Sequence, residues 1–273
     1  MNNQENRDWL TSPALSVDNI KAEVKGSIGR EIFFYETVGS TNTIAAELAE
    51  KGEAEGAVVI ADRQEKGRGR LGRSWVSPPC VNIYMSILLR PEIEPEEITL
   101  VTLMAAVGCT IALRRATGLK VAIKWPNDLM VSDRKLGGIL TELRIASKKI
   151  KYAITGIGIN INMDSEAFPD DIRELATSLK IETGVLHSRA EIITEILNEI
   201  DHWNMAIKEK RMGEVLSKWQ GLTSTIGRKV KINLGRETLT GFAESIDNLG
   251  RLFLRLPSGE LRVIRGGDLT VLK

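Results

Sequence analysis

The alternation of apolar and polar positions predicts strands and helices in an irregular order. Short apolar runs bounded by turn residues are typical of buried strands. The predicted strands are residues 31–38, 56–64, 81–90, 120–131, 134–147 and 151–162. Pro126 breaks the fourth of these strands, because proline cannot donate to a strand ladder. The last two strands face each other across a charged turn at Lys148 and Lys149, which predicts an antiparallel hairpin.

Apolar residues at helical spacing predict four helices. Their ranges are residues 16–24, 40–52, 95–118 and 188–219. Ser40 or Thr41 can cap the second helix and Gly52 can end it. The third begins at Pro95, ends at Gly118 and is apolar on nearly every side, so it belongs at the centre of the fold. Its stretch 98–113 contains threonines and a glycine, which favours a buried helix over a membrane span.

The pattern of predicted elements changes after about Thr223. Short strands then alternate with the turns "NLGRE", "DNLGR" and "LPSGE", which predicts a small all-β module. We therefore divide the chain into a leader (1–27), a large domain (28–222) and a C-terminal module (223–273).

Composition excludes several classes of protein. Hydrophobic residues make up 42% and charged residues 27%, as in ordinary soluble globular proteins. The net charge of +1 argues against a general nucleic-acid binder and indicates that any charge cluster is local. Cys80 and Cys109 cannot form a disulfide framework, and no signal peptide is visible, so we expect reduced cysteines and a cytoplasmic protein without membrane attachment.

The stretch "EKGRGRLGRSW" (65–75) concentrates glycine and positive charge. Gly67, Gly69 and Gly72 allow backbone amides to approach a ligand closely, and arginine offers a fork for phosphate or carboxylate. A ligand that carries a phosphate would neutralise this positive charge, and Trp75 would line the binding site. The alternative is a solvated, mobile basic loop. The spacing is not that of a P-loop, and the proline-containing "SWVSPPC" that follows argues against a dinucleotide-binding helix.

Two other stretches carry polar groups where regular structure begins or breaks. In "KWPNDLMVSDRKLGGIL" (124–140), Asn127 or Asp128 could orient a metal or a ribose, and Lys135 could face a ligand. A plain turn with Lys135 in solvent is the alternative. In "GSTN" (39–42), the polar side chains could act as a helix cap and nothing more. The alternative is that they bind a neutral polar group of a ligand. The chain has two histidines, away from these stretches, and no Ser-His-Asp or metal-ligand cluster, which makes hydrolytic and zinc mechanisms unattractive.

Taken together and in this order, these motifs resemble those of biotin protein ligases. The matching stretches are "STN" (40–42), "GRGRLGRSW" (67–75), "KWPND" (124–128), "RKLGGIL" (134–140) and "GIGIN" (156–160). The resemblance covers about residues 30–222. It implies an α+β catalytic domain with a mixed, largely antiparallel sheet flanked by helices, followed by a C-terminal SH3-like β-barrel.

The resemblance also implies a reaction in two steps. Biotin and ATP, with Mg²⁺ and no permanently bound cofactor, form biotinyl-5′-AMP, and a lysine of a biotin carboxyl carrier domain then receives biotin. Lys135 and Arg70 would be catalytic. The implied biotin-binding residues are Ser40, Thr41, Asn42, Gln64, Gly67, Arg68, Gly69, Arg70, Lys135 and Gly138. The implied nucleotide-binding residues are Arg70, Arg73, Trp75, Lys124, Asn127 and Asn160, with Asp128 for Mg²⁺.

Some family members carry an N-terminal helix-turn-helix domain and act as repressors. Some 30 residues precede the catalytic part here, so we expect no specific DNA binding. A lipoate or octanoyl ligase and a DNA-binding biotin sensor are the rival interpretations. The sequence leaves the oligomeric state open, a homodimer included.

Overall fold

The computed structural model describes residues 15–272, which form two β-sheets with helices around the larger one. The helices are α1 (Val17–Glu23), α2 (Thr41–Glu50), α3 (Ile98–Thr117), α4 (Leu179–Thr183), α5 (Arg189–Lys208) and α6 (Met212–Gln220). The strands of the larger sheet are β1 (Ile32–Val38), β2 (Val58–Gln64), β3 (Ile83–Leu89), β4 (Val121–Lys124), β5 (Asp128–Val131), β6 (Arg134–Ala146) and β7 (Lys149–Ile159). The strands of the smaller sheet are β8 (Lys229–Asn233), β9 (Thr238–Ile246), β10 (Leu252–Arg255), β11 (Leu261–Ile264) and β12 (Asp268–Val271).

The larger sheet has seven strands in the order β1-β2-β3-β7-β6-β5-β4. Only β1 and β2 run parallel among the described strands, and the remaining neighbours are antiparallel. The predicted mixed, largely antiparallel sheet is therefore confirmed. The predicted break at Pro126 is the turn between β4 and β5, where Lys124 pairs with Asp128.

Apolar residues on both faces of the sheet explain the uninterrupted apolar strands. Val58 and Ile60 of β2 join the core that contains α3 and α5, whereas Val59 between them packs with the alanines of α2. Successive side chains of a strand point to opposite faces, so a strand covered on both faces is apolar throughout.

Helix α3 is the central helix, as predicted. A short 3₁₀ turn at Pro95–Glu97 leads into it, the carboxylate of Glu97 accepts from the backbone N–H of Glu94 at 2.9 Å, and Gly118 ends it in the left-handed conformation. Residues 95–117 are long and apolar enough to span a membrane, but 67% of their 18-residue apolar stretch is buried inside the fold. The packing accounts for the hydropathy of this helix.

The smaller sheet, in the order β11-β10-β9-β8-β12, is antiparallel throughout and fits an SH3-like barrel. It sits against the larger domain at the β4–β5 turn, where Trp125 donates its indole N–H to the carbonyl of Gly250 at 3.0 Å. A Cβ at Gly250 would lie 2.7 Å from Leu103 of α3, so glycine permits this close approach. The module is thus placed beside the ends of β4 and β5.

The predicted helix near residues 16–24 is confirmed as α1. Asp201 of α5 accepts from the backbone N–H groups of Ser27 and Ile28 at 2.9 and 3.0 Å, which fixes the chain that follows α1. The earlier part of the predicted leader lies outside the described residues.

Candidate active site

One cavity of about 1070 Å³ brings the predicted motifs together. It lies over β5, β6 and β7, beneath the stretch 65–75 (here called the arginine loop), and reaches β12 of the C-terminal module. The predicted site residues that line it are Ser40, Thr41, Asn42, Gln64, Arg68, Gly69, Arg70, Arg73, Trp75, Lys124, Asn127, Asp128, Lys135, Gly138 and Asn160. Gly67 does not line the cavity. Its role is in the loop, where its carbonyl accepts from the N–H of Trp75 and a Cβ would lie 2.5 Å from the carbonyl oxygen of Trp75.

The closed end of the cavity is built from the start of α2 and the end of β2. Thr41 donates its backbone N–H and its hydroxyl to Oε1 of Gln64, at 2.9 and 3.1 Å. Gln64 in turn donates Nε2 to the hydroxyl of Ser77 at 3.3 Å. These bonds use the acceptor side of the Gln64 amide and leave one of its N–H groups for a ligand.

Ser40 of the "GSTN" stretch does not cap helix α2 with its side chain. Its backbone is in the N-cap position of α2, but within residues 15–272 its hydroxyl makes no capping hydrogen bond. The side chain is 5% exposed and lines the cavity. Its hydroxyl is therefore available to a ligand at the closed end.

Asn42 is held at the same end by hydrogen bonds to the oxygen and to the nitrogen of its amide. Ser86 of β3 donates its hydroxyl to Asn42 Oδ1 at 2.6 Å, and Asn42 Nδ2 donates to Glu142 at 2.7 Å. A Cβ at Gly156 would lie 2.2 Å from Asn42 Oδ1. Gly156 of the "GIGIN" stretch therefore leaves the space that this amide occupies.

The second glycine of that stretch does the same for the tryptophan of the arginine loop. A Cβ at Gly158 would lie 2.7 Å from the indole ring of Trp75. The ring also lies under the ammonium of Lys135, whose Nζ is 5.6 Å from the ring centroid. Cation–π attraction of this kind holds the lysine and the ring together at the open end of the cavity.

The arginine loop is fastened to the protein by three of its arginines. Arg68 pairs with Glu142 of β6 at 2.8 Å, Arg70 donates to Asn127 Oδ1 at 2.7 Å, and Arg73 pairs with Asp268 of β12. The alternative interpretation of the sequence is a solvated, mobile basic loop. The structure instead gives each of these guanidinium groups an oxygen partner from the protein.

Arg70 is the most enclosed of the three arginines. Burial lowers its pKa, and the neighbouring carboxylates of Asp128 and Asp268 oppose that shift. Asn127, which we expected at the nucleotide, orients this arginine with its oxygen and donates its Nδ2 to the carbonyl of Ile139 at 2.9 Å. A guanidinium held away from water in this way interacts strongly with an anion in the cavity.

A carboxylate between two lysines lies on the floor of the cavity. Asp128 accepts from Lys135 at 2.6 Å and from Lys124 at 3.1 Å. Burial opposes ionisation of Asp128, but the two lysines outweigh it, so the pKa of Asp128 lies below its ordinary value. The cluster carries a net positive charge of one, which suits an anionic ligand.

The two lysine partners of Asp128 argue against its predicted role as a magnesium ligand. Each of its oxygens already accepts from an ammonium group, and residues 15–272 contain no group of three or more acidic, histidine or cysteine side chains that could hold a metal ion. We therefore assign no step of the reaction to a protein-bound ion.

Asn160 completes the set of predicted residues at the edge of the cavity. Its side chain is 4% exposed, and Nδ2 donates to the carbonyl of Thr177 at 2.9 Å. Sequence reasoning missed Ser86, Glu142 and Asp268, which hold predicted residues in place. Motif matching could not find them, because all three lie outside the motifs.

The fold and cavity define the class of protein as biotin/lipoate ligase-like. The Biotin/lipoate A/B protein ligase family matches residues 34–160, and the Biotin protein ligase C terminal domain matches residues 225–269. The chain belongs to the biotin protein ligase family.

Individual relatives agree with this assignment. The chain is 34% identical to the bifunctional ligase/repressor BirA of Bacillus spizizenii, over 90% of this chain and 76% of the relative. It is 29% identical to the biotin--[acetyl-CoA-carboxylase] ligase of Mycobacterium tuberculosis, over 91% of each chain. The structure of biotin protein ligase from Aquifex aeolicus in complex with biotin and ATP superposes with a TM-score of 0.75 at 29% identity, over 89% of this chain and 99% of that one.

Proposed function

We propose that the protein activates biotin with ATP and transfers it to a lysine of a biotin carboxyl carrier domain, in the cavity beneath the arginine loop. The observation that carries this proposal is the hydrogen-bonding pattern of the closed end. Ser40 offers a hydroxyl, Gln64 an amide N–H, and Asn42 one remaining lone pair of Oδ1. A ureido ring carries N–H donors beside a carbonyl acceptor, which matches this set.

The same pattern argues against lipoate, whose ligases share the fold. The ring of lipoate has no N–H group and no oxygen, so buried polar side chains at the closed end would lose partners when it bound. A site built to hydrogen-bond its substrate rejects an analogue that lacks those groups. Biotin is therefore the better substrate for this cavity.

The other end of the cavity supplies positive charge for the chemistry. The carboxylate oxygen of biotin attacks the α-phosphorus of ATP, the P–O bond to the β-phosphate breaks, and pyrophosphate leaves. Lys135 and Arg70 would lie at the junction of carboxyl and phosphate and stabilise the charge that develops there. In the second step the lysine amine attacks the acyl carbon and AMP leaves. No protein nucleophile is required.

The remaining assignments are part of the proposal. ATP would lie along Trp75, Arg73 and Lys124 towards β12, with Mg²⁺ carried on its phosphates rather than by Asp128, since this ion commonly keeps phosphate ligands. The division at about residue 223, the carrier-domain partner and a cytoplasmic location are proposed with it. The two cysteines, one half-buried and one buried, are free, which suits a reducing compartment.

The test uses ATP labelled at the α-phosphate with either biotin or lipoate as the acid. We expect labelled biotinyl-AMP with biotin and a much smaller yield with lipoate. Addition of a carrier domain should then discharge the adenylate and leave biotin on the carrier. Preferential formation of the lipoyl adenylate, or no adenylate with either acid, would overturn the proposal.

A further inference from the structure

Glu142 of β6 makes two contacts that the motifs do not account for. Its Oε2 accepts from Nδ2 of Asn42 at 2.7 Å and from Nη2 of Arg68 at 2.8 Å. One carboxylate oxygen therefore joins the closed end of the cavity to the arginine loop. Asn42 and Arg68 both line the main cavity and also a neighbouring one of about 650 Å³, so these contacts form the wall between the two cavities.

The orientation of the Asn42 amide depends on these contacts. A carboxylate can only accept, so Glu142 requires the nitrogen of the amide on its side. The carbonyl of Leu140 accepts from the same nitrogen at 3.3 Å, which is a long contact. Ser86 does not determine the orientation, because a hydroxyl can donate or accept. Glu142 is thus the stronger of the two groups that fix which atom Asn42 turns to the ligand.

The consequence concerns recognition of the ring. With both N–H groups of Asn42 used by Glu142 and Leu140, the group it can offer to a ligand is an acceptor, Oδ1. An acceptor suits an N–H of the ureido ring and repels the ureido oxygen. Rotation of the amide by half a turn would reverse this preference.

We propose that Glu142 is a positioning residue that sets the specificity of the closed end by fixing Asn42 as a hydrogen-bond acceptor. Through the same oxygen it holds Arg68, and with it the first part of the arginine loop, against the wall of the cavity. This inference rests on the proposed function, because it takes the ring of biotin to lie at the closed end.

The experiment compares two acids in the adenylation assay. One is biotin, and the other is the analogue in which CH₂ replaces both ureido N–H groups. The variants are Glu142→Ala, which removes the acceptor, and Glu142→Gln, whose amide oxygen can still accept from Asn42. Glu50→Gln is the matched control. Glu50 is 44% exposed like Glu142 and lines the same neighbouring cavity, but it pairs with Lys151 and Tyr152.

For Glu142→Ala we expect KM for biotin to rise about tenfold, the usual effect of one hydrogen bond, with kcat within about twofold. Discrimination against the CH₂ analogue should fall by a similar factor, because the Asn42 amide is no longer fixed with its oxygen, a hydrogen-bond acceptor, towards the ligand. Glu142→Gln should keep most of the discrimination, and Glu50→Gln should keep all of it. Because the Glu142 side chain is half exposed, the variants should fold, which thermal unfolding will check. Glu142→Thr, which suits a strand, replaces the alanine variant if that one does not fold.

Two results would overturn the inference. One is a parallel loss for biotin and the analogue in Glu142→Ala, which would indicate a merely structural role. The other is equal damage from Glu142→Gln and Glu142→Ala. These outcomes differ from failure of the proposed function, in which the unaltered protein would make no biotinyl-AMP.

Discussion

Replacing Lys135 with alanine separates the chemical role of this lysine from its role in the fold. Its side chain is 35% exposed, and its ammonium lies 2.6 Å from Asp128. Loss of one preorganised charge at the reacting phosphate removes roughly 3 kcal/mol of transition-state stabilisation, on the order of a hundredfold in rate.

The effect on stability should be much smaller. After the substitution Asp128 still pairs with Lys124 at 3.1 Å, so its charge is not left alone. Partly exposed pairs of this kind contribute up to about 1 kcal/mol. The loss in catalysis should therefore exceed the loss in the free energy of unfolding by about 2 kcal/mol.

The assay is single-turnover formation of biotinyl-AMP from α-labelled ATP, with unfolding in urea measured in parallel. Lys180→Ala is a matched control, because Lys180 is 31% exposed and pairs with Asp164 at 2.7 Å outside the cavity. We expect the control to retain its rate. Near-normal adenylation by Lys135→Ala, or an equal loss in Lys180→Ala, would refute the assignment of Lys135 to the chemistry.

Three further predictions concern the surroundings of this lysine. Arg70→Gly removes the bond to Asn127 and loosens the loop, so biotinyl-AMP should escape and acylate a bystander such as albumin. A blot for biotin on the bystander measures this, and labelling no greater than with the parent protein would contradict it. Asp128→Asn leaves Lys124 and Lys135 facing each other and should lower the free energy of unfolding by about 1–3 kcal/mol at pH 7. Because the pKa of Asp128 is lowered by folding, its contribution is present above its ordinary value of 3.8 and is lost as the pH falls through the lower folded pKa. The free energies of unfolding of the parent protein and of Asp128→Asn, measured in urea, should therefore become more similar in acid. A difference independent of pH would argue against the ion pairs of Asp128 with the two lysines. A chain ending near Leu222 should lose transfer to the carrier and ATP affinity more than biotin binding, measured by calorimetry and turnover, and unchanged turnover would show that the module is dispensable.

Much of the fold was predictable because the sequence carries strong local signals. Pro95 and Gly118 mark the ends of the central helix, and Pro126 marks the break between β4 and β5. The short apolar runs predicted buried strands, and the structure places these strands in a sheet covered on both faces. The mixed, largely antiparallel character of the sheet came from the family resemblance, and the strand order came from the structure alone, because pairing between strands distant in sequence leaves no local signal.

The site was predictable where a motif places several functional residues together, and not elsewhere. In the sequence, Ser86 is a single polar residue in an apolar strand. Glu142 occupies a position that the alternating pattern of its strand assigns to solvent. Both contact the side chain of Asn42 at the start of α2. The fastening of the arginine loop was missed for the same reason, since Asp268 is 195 residues from Arg73.

That last distance has a consequence for the timing of activity during synthesis. Domains generally fold from the N-terminus as the chain emerges from the ribosome. The larger domain can therefore form its closed end, and with it a place for biotin, while Gly267 and Asp268 have not yet been joined to the chain. Arg73 of the arginine loop has no salt-bridge partner until β12, with Asp268, has been synthesised. A nascent chain should therefore bind biotin well before it can confine the reactive adenylate.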